Sequence, residues 1–324
     1  MTKEWPVMSG SWPVNSALLL DVTDRAQIEV TGRDRVKFLH SFCTNDLQKR
    51  QPGQGCEAFV TNVNGKVLGH IFVFLEREAL WIDSVPGSGT TLLPHFDRYL
   101  ITEDVRFADR SPEFAEFLLF GDTSTTLLEQ LGLTVGSLPL YGHLDHGSDV
   151  LPVRSVRRVD WLGGPTWLLQ APIGHRGDIV QRLSAAGAAA ADLETFHALR
   201  IMAGFPLYGS DITDDNLAQE VGRTAQAISF TKGCYLGQEP IARIDALGHV
   251  NRQLCRLVLP SQVPPLAGTP VHEHATPDAK AIGAITSSAL DLNGSQALAL
   301  AYLRSPFVKS GTEVFVSGQV ARVL

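Results

Sequence analysis

The sequence predicts an α+β fold with a small antiparallel β-barrel at its carboxy-terminal end. Three observations carry that reading. The chain has 324 residues, more than one compact core holds, so two or three packed units are expected. Up to about residue 248, alternating strand-like runs are mixed with segments of helical periodicity. From about residue 251 onward, short strand-like runs follow one another between Pro- and Gly-rich links, the pattern of a small barrel. A boundary near 246–252 divides the chain into an irregular arm at 1–16, a main region at 17–248 and a barrel at 249–324.

The elements follow in order. Residues 26–30 alternate and predict a strand. Thr31 and Asp34 then read as a capping box, and Val36, Leu39, Cys43 and Leu47 fall on one helical face. That spacing makes Cys43 a core thiol. Residues 57–63 and 67–75 read as strands joined by Asn64-Gly65, a pair that supplies the positive φ angles of a tight hairpin. A strand at 79–85, a helix at 90–100 with Pro94 near its first turn, strands at 105–108 and 114–120, and a helix at 123–131 come next. Strands at 153–159 and 166–171 flank Gly163-Gly164. Helices are expected at 177–186 and 193–203, the second stopped by Gly204. The alanine run at 188–191 is assigned to a helix–turn. Barrel strands are expected at 254–259, 281–287, 297–303, 313–316 and 320–324.

Composition narrows the function classes. Hydrophobic residues make up 44% and charged residues 19%, as in an ordinary globular protein. The formal net charge is -7 and no run is rich in lysine or arginine, which argues against direct nucleic-acid binding through a broad basic face. No segment approaches the roughly 20 apolar residues that span a bilayer, and the first ten residues hold no apolar signal core. No membrane association and a cytoplasmic location are therefore expected. Cys43, Cys56, Cys234 and Cys255 include no CxxC pair, so no structural metal is expected; His272 and His274 read as exposed loop residues.

The densest chemistry lies in Lys232-Gly233-Cys234-Tyr235-Leu236-Gly237-Gln238-Glu239, with Ala242-Arg243 just after it. The glycines permit backbone angles or approaches that a side chain would block. An ammonium two residues from a cysteine favours thiolate, which is the better nucleophile or metal ligand. The alternative is a loop whose cysteine is buried and inert. Other catalytic signatures are absent: there is no GxxxxGK[ST], GxSxG or HExxH.

The run KGCYLGQE, followed by Ala-Arg, resembles the signature of the YgfZ family, relatives of the glycine-cleavage T-protein. Further likenesses are Gly204-Phe205-Pro206, Asn216-Leu217-Ala218-Gln219-Glu220 (with alanine where relatives often carry proline), Ala227-Ile228-Ser229-Phe230, residues 61–66, and residues 158–169 with Trp161, Gly163 and Trp167. The resemblance runs from about residue 17 to the end. It implies interlocked α+β subdomains in a ring, a carboxy-terminal barrel and a central channel for tetrahydrofolate. It also implies an accessory role toward iron–sulfur enzymes or their assembly proteins, including enzymes that modify tRNA, with Cys234 poised by Lys232. Candidate folate contacts are Asn62, Phe196, Tyr208, Glu220, Tyr235, Gln238, Glu239 and Arg243. Phe196 is equally readable as core from its helical register.

Two departures bear on activity. Where aminomethyltransferases carry paired aspartates, this chain has Gly69 and His70, so the acid of methylamine transfer is missing. Met202 stands where many relatives have a glutamate suited to the aminopyrimidine edge of a pterin. Either Glu220, Asp211 or Glu239 replaces it, or folate binds more weakly, or the ligand differs. A folate-dependent aminomethyl- or methyltransferase and a scaffold that has lost folate are the two alternatives.

Overall fold

The structure, a computed structural model, describes residues 14–276 and 279–324; most of the arm expected at 1–16 lies outside the described residues. β1 (Leu18–Asp21) opens one sheet, but the chain leaves it at once to build another. That second sheet takes β2 (Ala26–Thr31), α1 (Arg35–Phe42), β3 (Gly55–Thr61), β4 (Val67–Leu75), β5 (Leu80–Ser84), α2 (Gly89–Asp97) and β6 (Arg106–Asp109). The chain then returns with β7 (Phe114–Phe120), α3 (Ser124–Gln130), β8 (His143–Leu144), β9 (Ser155–Val159), β10 (Thr166–Pro172), α4 (Arg176–Ala185) and β11 (Ala189–Ala190). The strand orders are β3-β4-β5-β2-β6 and β11-β1-β7-β10-β9-β8. This departure and return is what interlocks the two α+β units.

Three helices, α5 (Leu193–Ala203), α6 (Thr224–Ala227) and α7 (Gln238–Leu247), lead into the barrel. Its strands are β12 (Arg252–Leu259), β13 (Pro270–His272), β14 (Ala281–Leu290), β15 (Ala297–Arg304), β16 (Glu313–Val316) and β17 (Gln319–Val323). They close in the order β12-β15-β14-β13-β16-β17, so the barrel predicted from short strands and turn residues is present. The strand β13 was not foreseen; it completes the closure by pairing with both β14 and β16.

Local chemistry explains most elements and corrects two. Leu39, Cys43 and Leu47 are buried in one cluster against β2–β5, as their spacing demands. The expected capping box does not form: α1 starts after Asp34, whose carboxylate accepts the Asp104 N–H (2.9 Å). The alanine run is strand, not helix–turn. Ala189 and Ala191 donate to the carbonyls of Ala17 and Leu19, which sets β11 parallel to β1. α5 has both caps, Asp192 accepting from the Thr195 N–H (2.8 Å) and Gly204 turning left-handed at φ +77°.

An aromatic-rich layer fills the space between the sheets. Phe72, Phe74 and Trp81 meet Leu118, Phe120 and Leu168, with Phe196, Leu199 and Phe205 closing one side. A polar quartet is embedded beside them: Arg25 bonds Asp83 and Arg157 bonds Glu116 (3.3 Å) in a site closed to solvent, where burial and the neighbouring Asp83 push the Glu116 pKa up.

Candidate functional site

The signature loop is stitched to the turn after α1. Thr44 Oγ1 donates to the Ala227 carbonyl (2.6 Å), and the Asn45 amide donates to the carbonyls of Glu57 and Gln226 (2.8 Å each). Leu236 N–H donates to the Ser41 carbonyl (3.0 Å). Lys232 is buried, and its ammonium donates to the carbonyls of His40, Cys43 (2.7 Å) and Asn45 (2.9 Å). These lie at and just beyond the end of α1, where helix carbonyls lack intrahelical partners and favour a cation. Burial lowers the Lys232 pKa, and the acidic groups acting against that are Cys43, Asp46 and Cys56. All three ammonium hydrogens are committed to backbone carbonyls, so Lys232 fixes the loop and has no hydrogen left for the Cys234 sulfur.

Cys234 itself is exposed. The hairpin tip packs against the far end of its loop. Gly237 has φ +83°, and a Cβ there would lie 2.3 Å from the Asn62 carbonyl oxygen. Thr61 Oγ1 also donates to the Leu236 carbonyl (2.7 Å). Gly237→Ala is expected to cost about 3 kcal/mol, the sum of left-handed strain and overpacking, as read by urea denaturation. Near the other end, His40 Nε2 is 3.9 Å from where a Cβ of Gly233 would stand, a neighbour the sequence did not announce. His40 Nδ1 accepts from the Leu47 N–H (3.3 Å), and burial followed by the Lys232 charge lowers its pKa.

Behind the loop lies a buried polar centre that sequence reasoning missed. Glu57 on β3 is fully buried. Its carboxylate accepts from His70 Nε2 (2.8 Å), Tyr141 Oη (2.7 Å) and Arg223 Nε (2.9 Å). Burial alone would raise its pKa; the hydrogen bonds from Arg223 and His70 outweigh that and hold it at about 2. Arg223 reaches on to Asp160 (3.1 Å), whose side chain keeps 29% exposure. Phe205 and Trp161 stack alongside, ring centroids 5.6 Å apart, and the Trp161 indole N–H has no partner among the described residues. The centre joins β3, β4, the loop before β8, the end of β9 and the segment before α6. His70, Trp161 and Phe205 were each singled out in the sequence, but nothing there joined them to Glu57, Tyr141 and Arg223.

The remaining predicted residues separate. Gly69 faces Leu92, where a Cβ would be 2.8 Å from a leucine methyl, while His70 points the other way into Glu57, so neither offers an acid. Asn62 uses its side-chain oxygen to close the hairpin, accepting from the N–H groups of Asn64 (2.9 Å) and Lys66 (3.1 Å). Phe196 is core, and Met202 packs partly buried at the edge of the same cluster. Glu220 accepts from Arg252 (3.1 Å), tying the main region to the barrel, and Asp211 is closed off by Arg200 (2.8 Å). Asn62, Phe196 and Glu220 thus each serve the fold, in the hairpin turn, the core and the tie to the barrel. Tyr235 is buried with its ring 4.8 Å from the Lys232 ammonium, and Gln238 accepts from the Tyr235 N–H (3.4 Å). Tyr208 is half-buried at the edge of the same cluster, whereas Glu239 and Arg243 stand exposed on α7. A cleft of about 580 Å³ between α5 and β14 holds none of the predicted residues. Among the described residues no cluster of His, Cys, Asp or Glu is arranged to hold a metal, and no helix is long and apolar enough to cross a membrane.

Two interlocked α+β units, a closed barrel and a charged centre between them define a T-protein-like chain. The fold matches that of glycine cleavage system aminomethyltransferase T from Bartonella henselae with a TM-score of 0.84, at 19% identity, covering 96% of this chain and 85% of that one. The family model described as the GCVT N-terminal domain matches residues 12–232, and the chain belongs to that family. It is 25% identical over 313 residues to a chloroplastic transferase-like protein of Arabidopsis thaliana, covering 96% of this chain and 70% of that protein. It is also 25% identical over 319 residues to an aminomethyltransferase of Rippkaea orientalis, covering 93% and 82%.

Proposed function

We propose that the chain is a tetrahydrofolate-binding accessory protein of the YgfZ type that supports iron–sulfur enzymes and does not transfer methylamine. The observation that carries this reading is the exposed Cys234 thiol, presented on a loop that Lys232 ties to the end of α1 and Gly237 packs against the hairpin. An exposed thiol on an anchored loop suits contact with a partner. A single cysteine cannot supply the four thiolates of a stable cluster, so the role is that of one ligand or one nucleophile, with the client supplying the rest. The absence of an acid at Gly69 and His70 weighs against aminomethyl transfer.

The residues of the buried centre suit a folate ring in chemistry. Asp160 is a partly exposed carboxylate, and behind it Trp161 and Phe205 stack on each other within the core. Asp160 would take the place of the glutamate that Met202 replaces. When bound, tetrahydrofolate supplies an amine that carries one-carbon units; the protein's own residues bind and orient it. Titration of the purified protein with tetrahydrofolate, followed by tryptophan fluorescence, tests the reading. Saturable binding is expected, about tenfold weaker in Asp160→Asn, which removes a charge-assisted acceptor. Absence of saturable binding favours the second reading, a scaffold without folate, which the packing of Met202 against core also supports.

A further inference from the structure

The cleft of about 580 Å³ between α5 and β14 has no part in the folate reading. Glu194, His197 and Arg200 line it from α5, each three residues from the next and so on one stripe of the helix. β14 faces them with a bulge, where its pairing with β15 shifts between Ile285 and Ser287. Thr286 Oγ1 donates there to Asp211 Oδ1 (2.5 Å), and Ser287 Oγ accepts from Arg200 Nη2 (2.8 Å). Arg200 is buried, and Asp211 balances its charge (2.8 Å).

Two donors among the lining side chains lack acceptors. A guanidinium only donates, so the contact with Arg200 Nε makes His197 Nδ1 the acceptor (2.9 Å). Burial and then the Arg200 charge lower the His197 pKa, so the ring is neutral and its one hydrogen sits on Nε2. That N–H has no acceptor among the described residues and is not buried. Ser287 Oγ, having accepted from Arg200, keeps its own hydrogen to donate, and no acceptor among the described residues takes it. On the rim, Glu194 is an exposed carboxylate with no ion-pair partner among the described residues. Half-buried Pro264 and Leu290 with buried Ala289 form an apolar wall, and Leu193 and Val263, next in the chain to lining residues, stand exposed. A simple anion would meet Glu194, and a simple cation would leave both donors unpaired; a molecule carrying both charges side by side satisfies both. Side chains one helical turn apart are about 5–6 Å apart at Cβ, a span that two adjacent charged groups bridge. We infer that this cleft binds a free α-amino acid with an apolar side chain, its carboxylate on the Ser287 hydroxyl and His197 Nε2–H, its ammonium at Glu194, and its side chain on the apolar wall. The inference is independent of folate binding and of Cys234.

Titrating the full chain with L-leucine, followed by amide chemical shifts, tests it. Two analogues each remove one charge: L-leucinamide lacks the carboxylate and 4-methylpentanoate lacks the ammonium. Saturable binding of leucine is expected, with shifts centred on residues 193–200 and 286–290, and each analogue should bind about tenfold more weakly or worse. Glu194→Gln, on an exposed position, should weaken leucine about tenfold by removing the charge-assisted bond and should leave 4-methylpentanoate no weaker. Ser287→Ala should weaken leucine and leave leucinamide unchanged; if that variant does not fold, the comparison of leucine with leucinamide decides the carboxylate end. No saturable binding of leucine, an analogue that binds as tightly as leucine, or indifference to Glu194→Gln would overturn the inference.

Discussion

Replacing Glu57 with alanine is expected to destabilise the protein by about 3–5 kcal/mol, the range for breaking a buried ion pair from one side. The reason is the number of donors that converge on it. His70, Tyr141 and Arg223 all point at one fully buried carboxylate, and removing it leaves the buried His70 without its acid partner and Arg223 with Asp160 alone. Glu57→Gln keeps the volume but not the charge, so it should lose somewhat less. The pH dependence follows from the folded pKa of about 2 against an ordinary 4.5. A carboxyl depressed in the folded state stabilises fully above its unfolded value, and that contribution fades as pH falls from about 4.5 to about 2. The shift corresponds to about 3 kcal/mol, in line with the mutational estimate. Urea denaturation at pH 7 and below pH 4 reads both effects. In Glu57→Gln the acid-side loss should be shallower than in wild type, and equal slopes in the two proteins would remove the assigned role.

How much of this was legible in the chain depends on the distance over which each signal acts. The stripe Leu39, Cys43 and Leu47, the Asn64-Gly65 turn and the barrel's succession of strands are local patterns, and they were read directly. β1 and β11 exist through each other: Ala189 and Ala190 have no alternation of their own and become strand because Leu18 and Leu19 lie beside them. α7 has a single buried residue, Ile241, so no apolar stripe announces it. Glu57 sits in a strand buried at every position, GCEAFVT, where alternation cannot mark an inward-facing charge. Its arginine partner is 166 residues away in sequence. The role of Lys232 in the fold was hidden for another reason. Proximity in sequence to Cys234 suggested an electrostatic pair, but an ammonium has only three hydrogens, and three orphaned carbonyls near the end of α1 claim them.

That anchoring of Lys232 sharpens what mutation of Cys234 should do. Its thiol is exposed, so Cys234→Ala should change stability by no more than about 0.5 kcal/mol, as surface substitutions do. In cells whose only copy carries the variant, iron–sulfur enzyme activity should fall to the level of the deletion while the protein remains folded and abundant. Lys232→Met should also abolish support, but by another route, because it leaves buried carbonyls unpaired and lowers the amount of folded protein. The two variants therefore separate chemistry from scaffolding: loss with stability intact belongs to the sulfur, and loss that tracks abundance belongs to the lysine. Thiol-reactive reagents give an independent reading. Cys43 and Cys56 are buried and burial raises both pKa values, while Cys255 is half-buried and pushed up to about 11. Cys234 should accordingly be modified first in the native protein. Full iron–sulfur enzyme activity in the Cys234→Ala strain would leave the exposed thiol without a part in the function.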